Sequence, residues 1–246
     1  MNSLKTAPFW HFESLDSTND FLKAKSKEGD LLEGTAVIAD FQLKGKGQKG
    51  RKWESAEGEN LLFSMYLRPT RKGNPYVINM MVALAVRRLV QAMVPKVEVS
   101  IKWPNDIVVD GKKIAGILIE NAVSTAGSLK SYIGVGLNVN QEVFPEFERR
   151  ATSLKKISGE NFELKDIGKM LQGEIWRRYQ LGKWSEELKR YNLHLYGKND
   201  PFVFEDVAGN NLHVRTFEVN SDGQLAVIFE DGKQQLINHG EIRYRI

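Results

Sequence analysis

Residues Lys44 to Lys52 combine five cations and three glycines with no acidic residue. They lie between an apolar, β-branched run, Thr35 to Phe41, and a second strand-like run, Asn60 to Leu67. Ordering such a segment is unfavourable, because glycines lose the most backbone entropy and neighbouring cations repel one another. A bound anion would offset both effects. The pattern predicts a basic loop, residues 44–52, that orders on an anion, and a solvated loop without a ligand is the alternative.

Gly45 to Gly50 match the G-x-G-x-x-G pattern of dinucleotide-binding loops. That pattern needs a helix directly after it, whereas here Trp53 and then a strand-like run follow. The same residues half-resemble a phosphate-binding P-loop, but they lack the Lys-Ser/Thr pair that places a hydroxyl on magnesium. No kinase H-R-D or D-F-G segment follows either. The loop is therefore predicted to bind its anion in another way.

A second chemical motif is Lys102-Trp-Pro-Asn-Asp106. Pro104 restricts Trp103 to an extended backbone and Asn105-Asp106 favours a turn, so the end of a strand is held stiffly. Lys102 at that end is either a fixed positive charge in a cleft or a surface lysine whose stem covers apolar neighbours. Both interpretations stay open at this point.

Two further polar sets accompany these motifs. Ser17-Thr18-Asn19 at a helix start is suited to capping the helix, and its hydroxyls and backbone N–H groups equally suit a polar ligand head. Asn138 follows Gly134 and Gly136, whose missing side chains would let a planar group approach the backbone. A turn residue without a site role is the alternative for Asn138.

The elements that must position these residues follow from periodicity and turn signals. The predicted strands are Phe9–Phe12, Thr35–Phe41, Asn60–Leu67, Val97–Ile101, Ile107–Val109, Lys113–Glu120 and Tyr132–Asn140, with a hairpin turn at Asp110-Gly111. Helices are predicted to begin at the N-cap Asp16 or Ser17, to cover Pro75–Met93, and to cover Leu164–Tyr196 as one or two segments. Arg68–Pro75 and most of Phe144–Glu160 are predicted as loops.

The net charge of +4 over 246 residues is mild, which favours a local anion site over a broad nucleic-acid surface. The sequence has no cysteine, so disulfides, thiolate metal sites and cysteine nucleophiles are excluded. Met1 to Asp16 lack the apolar core of a secretory signal. The apolar window Val77 to Val94 contains Arg87 and Arg88, and we expect it to be too short and too charged to span a membrane. We expect a soluble, cytoplasmic protein.

From residue 200 onwards the sequence shows only short strand patterns, separated by turn signals at Ala208-Gly-Asn210, Ser221-Asp-Gly223 and Asp231-Gly232. This pattern is typical of a small β-barrel. With a boundary near Gly197, we predict a larger domain of residues 1–197 and a small domain of residues 198–246.

The order of these motifs resembles the biotin protein ligases over essentially the whole chain. The resemblance is carried by Asp16-Ser-Thr-Asn19, Gln42 with the basic loop up to Trp53, Lys102-Trp-Pro-Asn-Asp106, Lys113-Ile-Ala-Gly-Ile-Leu-Ile-Glu120, Gly134-Val-Gly-Leu-Asn138 and Ala151-Thr-Ser-Leu154. It implies an α+β fold: a catalytic domain similar to class II aminoacyl-tRNA synthetases, with a mixed β-sheet flanked by helices, and a C-terminal barrel similar to SH3 domains.

The resemblance also implies a two-step reaction with biotin and ATP as substrates. Biotin is first activated to biotinyl-adenylate, with release of pyrophosphate. A lysine of a biotin carboxyl carrier domain, part of a biotin-dependent carboxylase, then takes the biotinyl group. Such chemistry needs charge stabilisation and exclusion of water rather than an enzyme nucleophile. Magnesium is expected with ATP, but no carboxylate cluster in the sequence indicates a protein metal site.

The resemblance assigns roles residue by residue. The implied biotin contacts are Ser17, Thr18, Asn19, Gln42, Lys46, Gly47, Gln48, Lys102 and Gly116. The implied ATP or adenylate contacts are Lys46, Gln48, Arg51, Trp53, Lys102, Asn105 and Asn138. Lys102 is the implied catalytic residue, bridging the biotin carboxylate and the α-phosphate.

The basic loop departs from the family pattern, which often reads Gly-Arg-Gly-Arg-x-Gly-Arg. Lys46 keeps the charge of the first arginine without its bidentate fork, and Gln48 loses the charge of the second. These changes put tight retention of the adenylate in doubt, with Lys44 and Lys49 as the residues that would compensate. The Ser-Thr-Asn block begins at Ser17, so we expect a short form without an N-terminal DNA-binding domain and without operator binding. The oligomeric state stays open, a homodimer included.

Two other functions fit parts of the sequence less well. Lipoate or octanoate transfer on a related fold would leave the Ser, Thr, Asn and Gln set with less to bond, because the head of that ligand is apolar. A nucleic-acid-binding module would use the basic loop and the C-terminal barrel, but residues 200–246 lack clustered cations.

Overall fold

The computed structural model describes residues 7–29, 31–69, 75–123, 128–145, 150–198 and 200–245. The first sheet contains β1 (Phe9–Leu15), β2 (Ala36–Gln42), β3 (Asn60–Leu67), β4 (Val99–Lys102), β5 (Asp106–Val109), β6 (Lys112–Val123) and β7 (Leu129–Asn138). The second contains β8 (Phe202–Asp206), β9 (Asn211–Val219), β10 (Leu225–Phe229), β11 (Gln234–Ile237) and β12 (Ile242–Tyr244). The helices are α1 (Thr18–Glu28), α2 (Pro75–Met93), α3 (Leu154–Ser158), α4 (Leu164–Leu181) and α5 (Trp184–Leu193).

The first sheet is mixed, with the strand order β1-β2-β3-β7-β6-β5-β4. β1 and β2 are parallel, and α1 supplies the crossover that a parallel pair needs. The remaining neighbours are antiparallel. The hairpin between β5 and β6 turns at Asp110 and Gly111, whose φ angles are 49° and 71°. Two positive φ angles in succession suit the turns that join twisted strands.

Strand register brings the predicted site residues together at one edge of this sheet, the edge that is formed by the ends of its strands. Asn138 pairs with Asn60, Gly136 with Gly116, Gly116 with Asp106, and Asp106 with Lys102. Because β2 runs antiparallel to β3, its last residues lie at the edge where β3 begins. Polar groups that are far apart in the sequence therefore meet at this edge.

Both faces of the first sheet are covered. One face packs with α2 in a large apolar cluster that includes Phe63 and Met65. The other face packs under α1, where Leu22, Val37 and Tyr66 form a second cluster. Alternate residues of β3 thus enter different clusters, which explains why this strand is buried along its whole length.

The helix α2 differs in length and apolar character from one sequence expectation, which concerns membrane-spanning segments. Tyr76–Met93 is long and apolar enough to cross a membrane by length and composition, despite Arg87 and Arg88. The expectation that this window is too short and too charged is therefore wrong on those grounds. Most of the window is buried inside the fold, where α2 packs against strands of the first sheet and against α4 and α5.

The second sheet is antiparallel, with the order β11-β10-β9-β8-β12. Its predicted turns are confirmed by positive φ angles at Gly209, Gly223 and Gly232. Its core residues belong to the same apolar cluster as the core around α2. Trp103 Nε1 donates a hydrogen bond of 3.1 Å to the carbonyl of Gly223, which joins the turn after β4 to the second sheet.

The α+β class and the mixed sheet are confirmed, and the predicted limits of β3 and α2 match the structure. The prediction of loop over most of Phe144–Glu160 missed α3, which Ser153 caps by accepting a hydrogen bond from the backbone N–H of Lys156. Leu154 of this helix is buried, so tertiary packing stabilises a helix too short to form alone. The predicted segments that include residues 1–6, 70–74 and 146–149 lie partly outside the described residues.

Candidate active site

The N-terminus of α1 carries the first polar groups of the site. Ser17 caps the helix, because its Oγ accepts a hydrogen bond of 3.4 Å from the backbone N–H of Asp20. The backbone N–H and the hydroxyl of Thr18 both donate to Gln42 Oε1, at 2.8 and 2.9 Å. Since Gln42 ends β2, these bonds tie the helix start to the sheet edge.

Asn19 is held from two sides. Its Nδ2 donates to Glu120 Oε2 at 2.8 Å, and Glu120 is in turn paired with Lys23 at 2.5 Å. The Ser64 hydroxyl lies 2.7 Å from Asn19 Oδ1 and 2.7 Å from Thr18 Oγ1, so its one proton serves one of these oxygens at a time. Thr18, Asn19 and Ser64 are buried. Their polar atoms are therefore held in fixed positions.

These groups line a narrow cavity at the sheet edge. Part of its wall is backbone of β6 and β7, where Gly116, Gly134 and Gly136 let Trp53 and Asn19 approach the strands closely. Its polar side chains are Ser17, Thr18, Asn19, Gln42, Lys46 and Ser64, and its apolar ones are Trp53, Leu62, Phe63, Leu118 and Val135. Hydroxyls and amides beside apolar walls suit a small ligand with a polar head and an apolar body.

Trp53 closes one side of this cavity. Its ring lies against the backbone of Gly116 and Gly136, and a methyl group at Gly136 would overlap the ring. Lys113 Nζ lies 5.4 Å from the ring centroid, within the range of a cation–π interaction. Its Nε1 is buried without a hydrogen-bond partner among the described residues. Because Trp53 lines both the cavity and a larger cleft beside it, its ring separates the two spaces.

The larger cleft has a volume of about 1010 Å³. Residues of the basic loop, of the first sheet and of the second sheet line it. Its cationic side chains are Lys49, Arg51 and Lys52 of the basic loop, together with Lys102, Lys113, Arg150 and Arg243. Glu54 and Asp106 also line it, and Asp106 pairs with Lys113 at 2.7 Å. The excess of cations gives the cleft a positive potential that suits a polyanion.

Lys102 ends β4 and is held by the turn that follows it. The carbonyl of Pro104 accepts hydrogen bonds from Asn79 Nδ2 at 2.7 Å and from the Tyr191 hydroxyl at 3.1 Å. Lys102 Nζ lies 5.3 Å from the ring centroid of Tyr244, in the second sheet. The predicted turn after β4 is present at residues 103–105, and side chains of α2 and α5 hydrogen-bond to it.

The pKa of Lys102 lies below its ordinary value. Burial disfavours the ammonium form most strongly, Asp106 opposes this effect, and the cations Lys113, Arg150 and Arg51 reinforce it. An anion beside Lys102 would offset the repulsion and raise the pKa again. The arrangement therefore favours binding of a negatively charged group at this position.

The basic loop divides its cations between two directions. Lys44 and Lys46 form ion pairs with Asp16 and Asp20, at 2.8 and 2.5 Å, and so face α1. A short 3₁₀ turn follows at Gln48–Gly50. Lys49, within this turn, and Arg51, directly after it, line the cleft. One part of the loop is therefore tied to the helix start, and the other contributes to the anion site.

The predicted site residues separate into two groups. The cavity brings together Ser17, Thr18, Asn19, Gln42, Lys46 and Gly116. The cleft brings together Gly47, Gln48, Arg51, Lys102, Asn105 and Asn138, and Trp53 lines both spaces. The side-chain amides of Asn105 and Asn138 donate to the carbonyls of Ile117 at 2.8 Å and Thr152 at 3.0 Å. These two residues therefore also stabilise the local backbone.

Several lining residues were not predicted. Ser64 could have been found from the sequence, because it is the one small polar residue between the apolar residues Leu61 and Leu67 of β3. The sequence motif that ends at Glu120 indicates no role for this residue, because its bond to Asn19 spans 101 positions. Lys113, Arg150, His239 and Arg243 enter the cleft through tertiary contacts that the local pattern does not encode.

Among the residues that the structure describes, no group of three or more His, Cys, Asp or Glu side chains is placed to hold a metal ion. Asp106 is already paired with Lys113. The donor set of this part of the chain therefore does not fit a dedicated magnesium cage, which would need several free oxygen ligands.

Comparison with known proteins shows the family to which this chain belongs. Residues 11–140, which contain the whole cavity and much of the cleft, match the Biotin/lipoate A/B protein ligase family. The chain belongs to that family. It is 40% identical over 136 residues to the bifunctional ligase/repressor BirA of Bacillus spizizenii, covering 53% of this chain and 41% of that protein. It is 35% identical over 147 residues to the biotin–[acetyl-CoA-carboxylase] ligase of Mycobacterium tuberculosis, covering 56% of this chain and 51% of that protein.

Among solved structures, the biotin protein ligase from Aquifex aeolicus in complex with biotin and ATP is similar, with a TM-score of 0.79 and 27% identity. That alignment covers 97% of this chain and 98% of the Aquifex chain, so it includes both sheets. The chain thus spans 41% and 51% of the two curated relatives but nearly all of this structural relative.

Proposed function

We propose that this protein is a biotin protein ligase that activates biotin with ATP and transfers it to a lysine of a biotin carboxyl carrier domain. One observation carries the proposal: a rigid polar cavity adjoins a cation-lined cleft, with Trp53 at their junction. A ligand with a polar head, an apolar body and a carboxylate fits the first space. The phosphates of a nucleotide fit the second.

Recognition of the ureido head follows from the donor and acceptor pattern of the cavity. The hydroxyls of Ser17 and Ser64 and the amide of Asn19 are placed on fixed backbone, and Glu120 orients that amide. A cyclic urea presents N–H donors and a carbonyl acceptor, which such groups can pair with. The hydrophobic body of the ligand would lie against the apolar walls of the cavity, Trp53, Leu118 and Val135.

In the first step, a biotin carboxylate oxygen attacks the α-phosphorus of ATP, and the bond from that phosphorus to the bridging oxygen of pyrophosphate breaks. Lys102 is the cation expected to neutralise both the carboxylate and the α-phosphate. Its neighbours Lys113, Arg150 and Arg51 stabilise the remaining negative charge. No enzyme nucleophile is required.

In the second step, the lysine amine of the carrier attacks the acyl carbon of the adenylate. AMP leaves as the amide bond forms, and the amine loses a proton. The basic loop would shield the mixed anhydride from water until the carrier arrives. The ion pairs of Lys44 and Lys46 with α1 support this role, since they anchor one end of the loop beside the cavity.

The finer architecture is part of the same proposal. We infer that residues 1–197 form a catalytic domain similar to class II aminoacyl-tRNA synthetases and that residues 198–246 form an SH3-like barrel. The mixed seven-stranded sheet and the separate five-stranded antiparallel sheet support this division. Magnesium would arrive with the ATP phosphates rather than in a protein cage.

We propose a cytoplasmic enzyme without a membrane or operator-DNA partner; the cations that line the cleft support a nucleotide over a nucleic acid. Light scattering would decide the oligomeric state, monomer or homodimer.

Pyrophosphate exchange into ATP tests the activity directly. Exchange with biotin, and not with lipoate or without any acid, is the expected result. Exchange with lipoate alone would support the related lipoate or octanoate reaction. Exchange that does not depend on an acid, or no exchange at all, would contradict the proposed function.

A further inference from the structure

His239 is a cleft residue that the proposed activity does not yet use. It lies between β11 and β12, so it belongs to the second sheet. Its ring stands edge-on to Trp103, with the ring centroids 6.0 Å apart and an interplanar angle of 89°. Since Trp103 directly follows Lys102, this contact places an imidazole of the second sheet next to the proposed reaction centre.

Two cations of the basic loop lie on the same side of the cleft. The ammonium of Lys49 reaches the backbone of Gly240, the residue after His239, and any side chain at that position would collide with it. Arg51 acts electrostatically on His239 and on Lys102. The loop and the second sheet therefore meet at this point.

The side chains of Lys49, Arg51 and His239 make no hydrogen bond or ion pair within the described ranges, although all three line the cleft. Lys44 and Lys46, by contrast, have carboxylate partners, Asp16 just before α1 and Asp20 in its first turn. The unpaired positive charges of Lys49 and Arg51, beside the His239 imidazole in a concave space, are unfavourable without an anion, because like charges repel. The set is complementary to a polyphosphate.

We propose that His239, Lys49 and Arg51 form a subsite for the β- and γ-phosphates of ATP and, after adenylate formation, for the pyrophosphate product. The second sheet is then part of the nucleotide site and not only an appended module. This inference rests on the proposed function, because it takes the α-phosphate to lie at Lys102.

The subsite couples nucleotide binding to a proton. In the protein alone the pKa of His239 lies below its ordinary value of 6.5, because partial burial and the cations Lys49 and Arg51 disfavour imidazolium, while Asp106 acts in the opposite sense. Bound phosphates would favour imidazolium and raise that pKa. Between the two pKa values, ATP binding takes up a proton. Affinity for ATP should therefore be greatest below the pKa of the free protein and fall as the pH rises from that value to the pKa of the complex.

The test measures the KM values for ATP and for biotin in biotin-dependent pyrophosphate exchange, from about pH 6 to about pH 8. His239→Phe keeps an aromatic ring against Trp103 but cannot titrate, and His239→Gln removes both ring and charge. His213→Gln is the matched control, since His213 is exposed on β9 of the same sheet.

We expect the ATP KM of the wild type and of His213→Gln to rise with pH. At about pH 6 both His239 variants should have an ATP KM about tenfold above the wild type, as for loss of a charge-assisted contact, with little dependence on pH. Their biotin KM should stay within about twofold of the wild-type value. Unchanged ATP KM and pH dependence in both variants, or an equal rise in the biotin KM, would overturn the subsite.

A failure of the proposed function would be recognised separately. If the wild type shows no biotin-dependent exchange, calorimetric titration with pyrophosphate alone still tests the subsite. Weaker pyrophosphate binding by His239→Phe than by His213→Gln would support it. Equal binding, or no binding by the wild type, would overturn it.

Discussion

The ring of Trp53 lies directly on the backbone of Gly136, with no room for a methyl group between them. The contact holds the indole between the polar cavity and the cation-lined cleft. A ligand that occupies both spaces must pass this ring. Gly136 is therefore a packing partner of the site as well as a strand residue.

Gly136→Ala should displace Trp53 and lower biotin-dependent pyrophosphate exchange by about tenfold or more, because the ring can no longer lie on β7. Gly173→Ala is the matched control: a methyl group there meets no atom within 4 Å, in the middle of α4. The control should keep full activity and gain about 0.5–1 kcal/mol in the free energy of unfolding. Wild-type exchange by Gly136→Ala would show that the position of Trp53 does not matter.

Thr18→Val should weaken biotin binding more than ATP binding. The change removes a hydroxyl that donates to Gln42 and lies beside Ser64, and leaving buried polar groups unpaired costs about 1–3 kcal/mol. We expect the biotin KM to rise by about tenfold or more, with the ATP KM near the wild-type value. Thr216→Val on β9 provides the control for a threonine outside the site. A normal biotin KM would contradict the assignment of this cavity.

Asp20→Asn should release Lys46 from α1. Burial raises the pKa of Asp20, but the contacts with Lys46 and Lys23 outweigh it and lower the pKa overall. In the wild type the pair is therefore complete above the ordinary value of 3.8 and is lost only as the pH falls through the lowered pKa. At neutral pH, removal of the charge by mutation is the way to break it.

The measurement for Asp20→Asn is limited proteolysis of residues 44–52. The variant without ligand should be cleaved faster than the wild type, and biotin with ATP should protect both proteins. Glu28→Gln is the control, because it breaks an exposed ion pair with Lys25 on the same helix. Equal cleavage of the wild type with and without ligands would argue against ligand-driven ordering of the loop.

Lys102→Ala should reduce adenylate formation by about a hundredfold or more, since it removes the central cation from the developing charge. The free energy of unfolding should stay close to the wild-type value, because the turn after β4 is held by Asn79 and Tyr191 rather than by the ammonium. Lys165→Ala, an exposed lysine of α4, is the control for loss of one charge. Global unfolding of the Lys102 variant would indicate a structural role, and full activity would remove Lys102 from the mechanism.

The sequence predicted elements with strong local signals. The limits of α2 follow from its apolar pattern, and the turn at Asp110 and Gly111 follows from residues that accept positive φ angles. The helix start at Ser17 follows from its cap. The short helix α3 was missed because its stability comes from the burial of Leu154 rather than from its own length.

The sequence predicts site residues that belong to recognisable motifs. It does not predict residues that join the site only through tertiary contacts. The cavity unites Thr18 with Gln42, 24 positions apart, and both were named from the sequence. The bond from Asn19 to Glu120 and the contact from Trp103 to His239 depend on how sheet edges and modules meet. A one-dimensional pattern contains no signal for such contacts.

Transfer to a carrier tests the central claim most directly. A biotin carboxyl carrier domain is incubated with this protein, biotin and ATP, and its intact mass is measured. We predict the addition of one biotinyl group to a single lysine, and no addition when ATP or biotin is omitted or when lipoate replaces biotin. An unmodified carrier domain, in the presence of active biotin-dependent pyrophosphate exchange, would contradict the transfer step. A lipoylated carrier domain would contradict the assignment of biotin as the substrate.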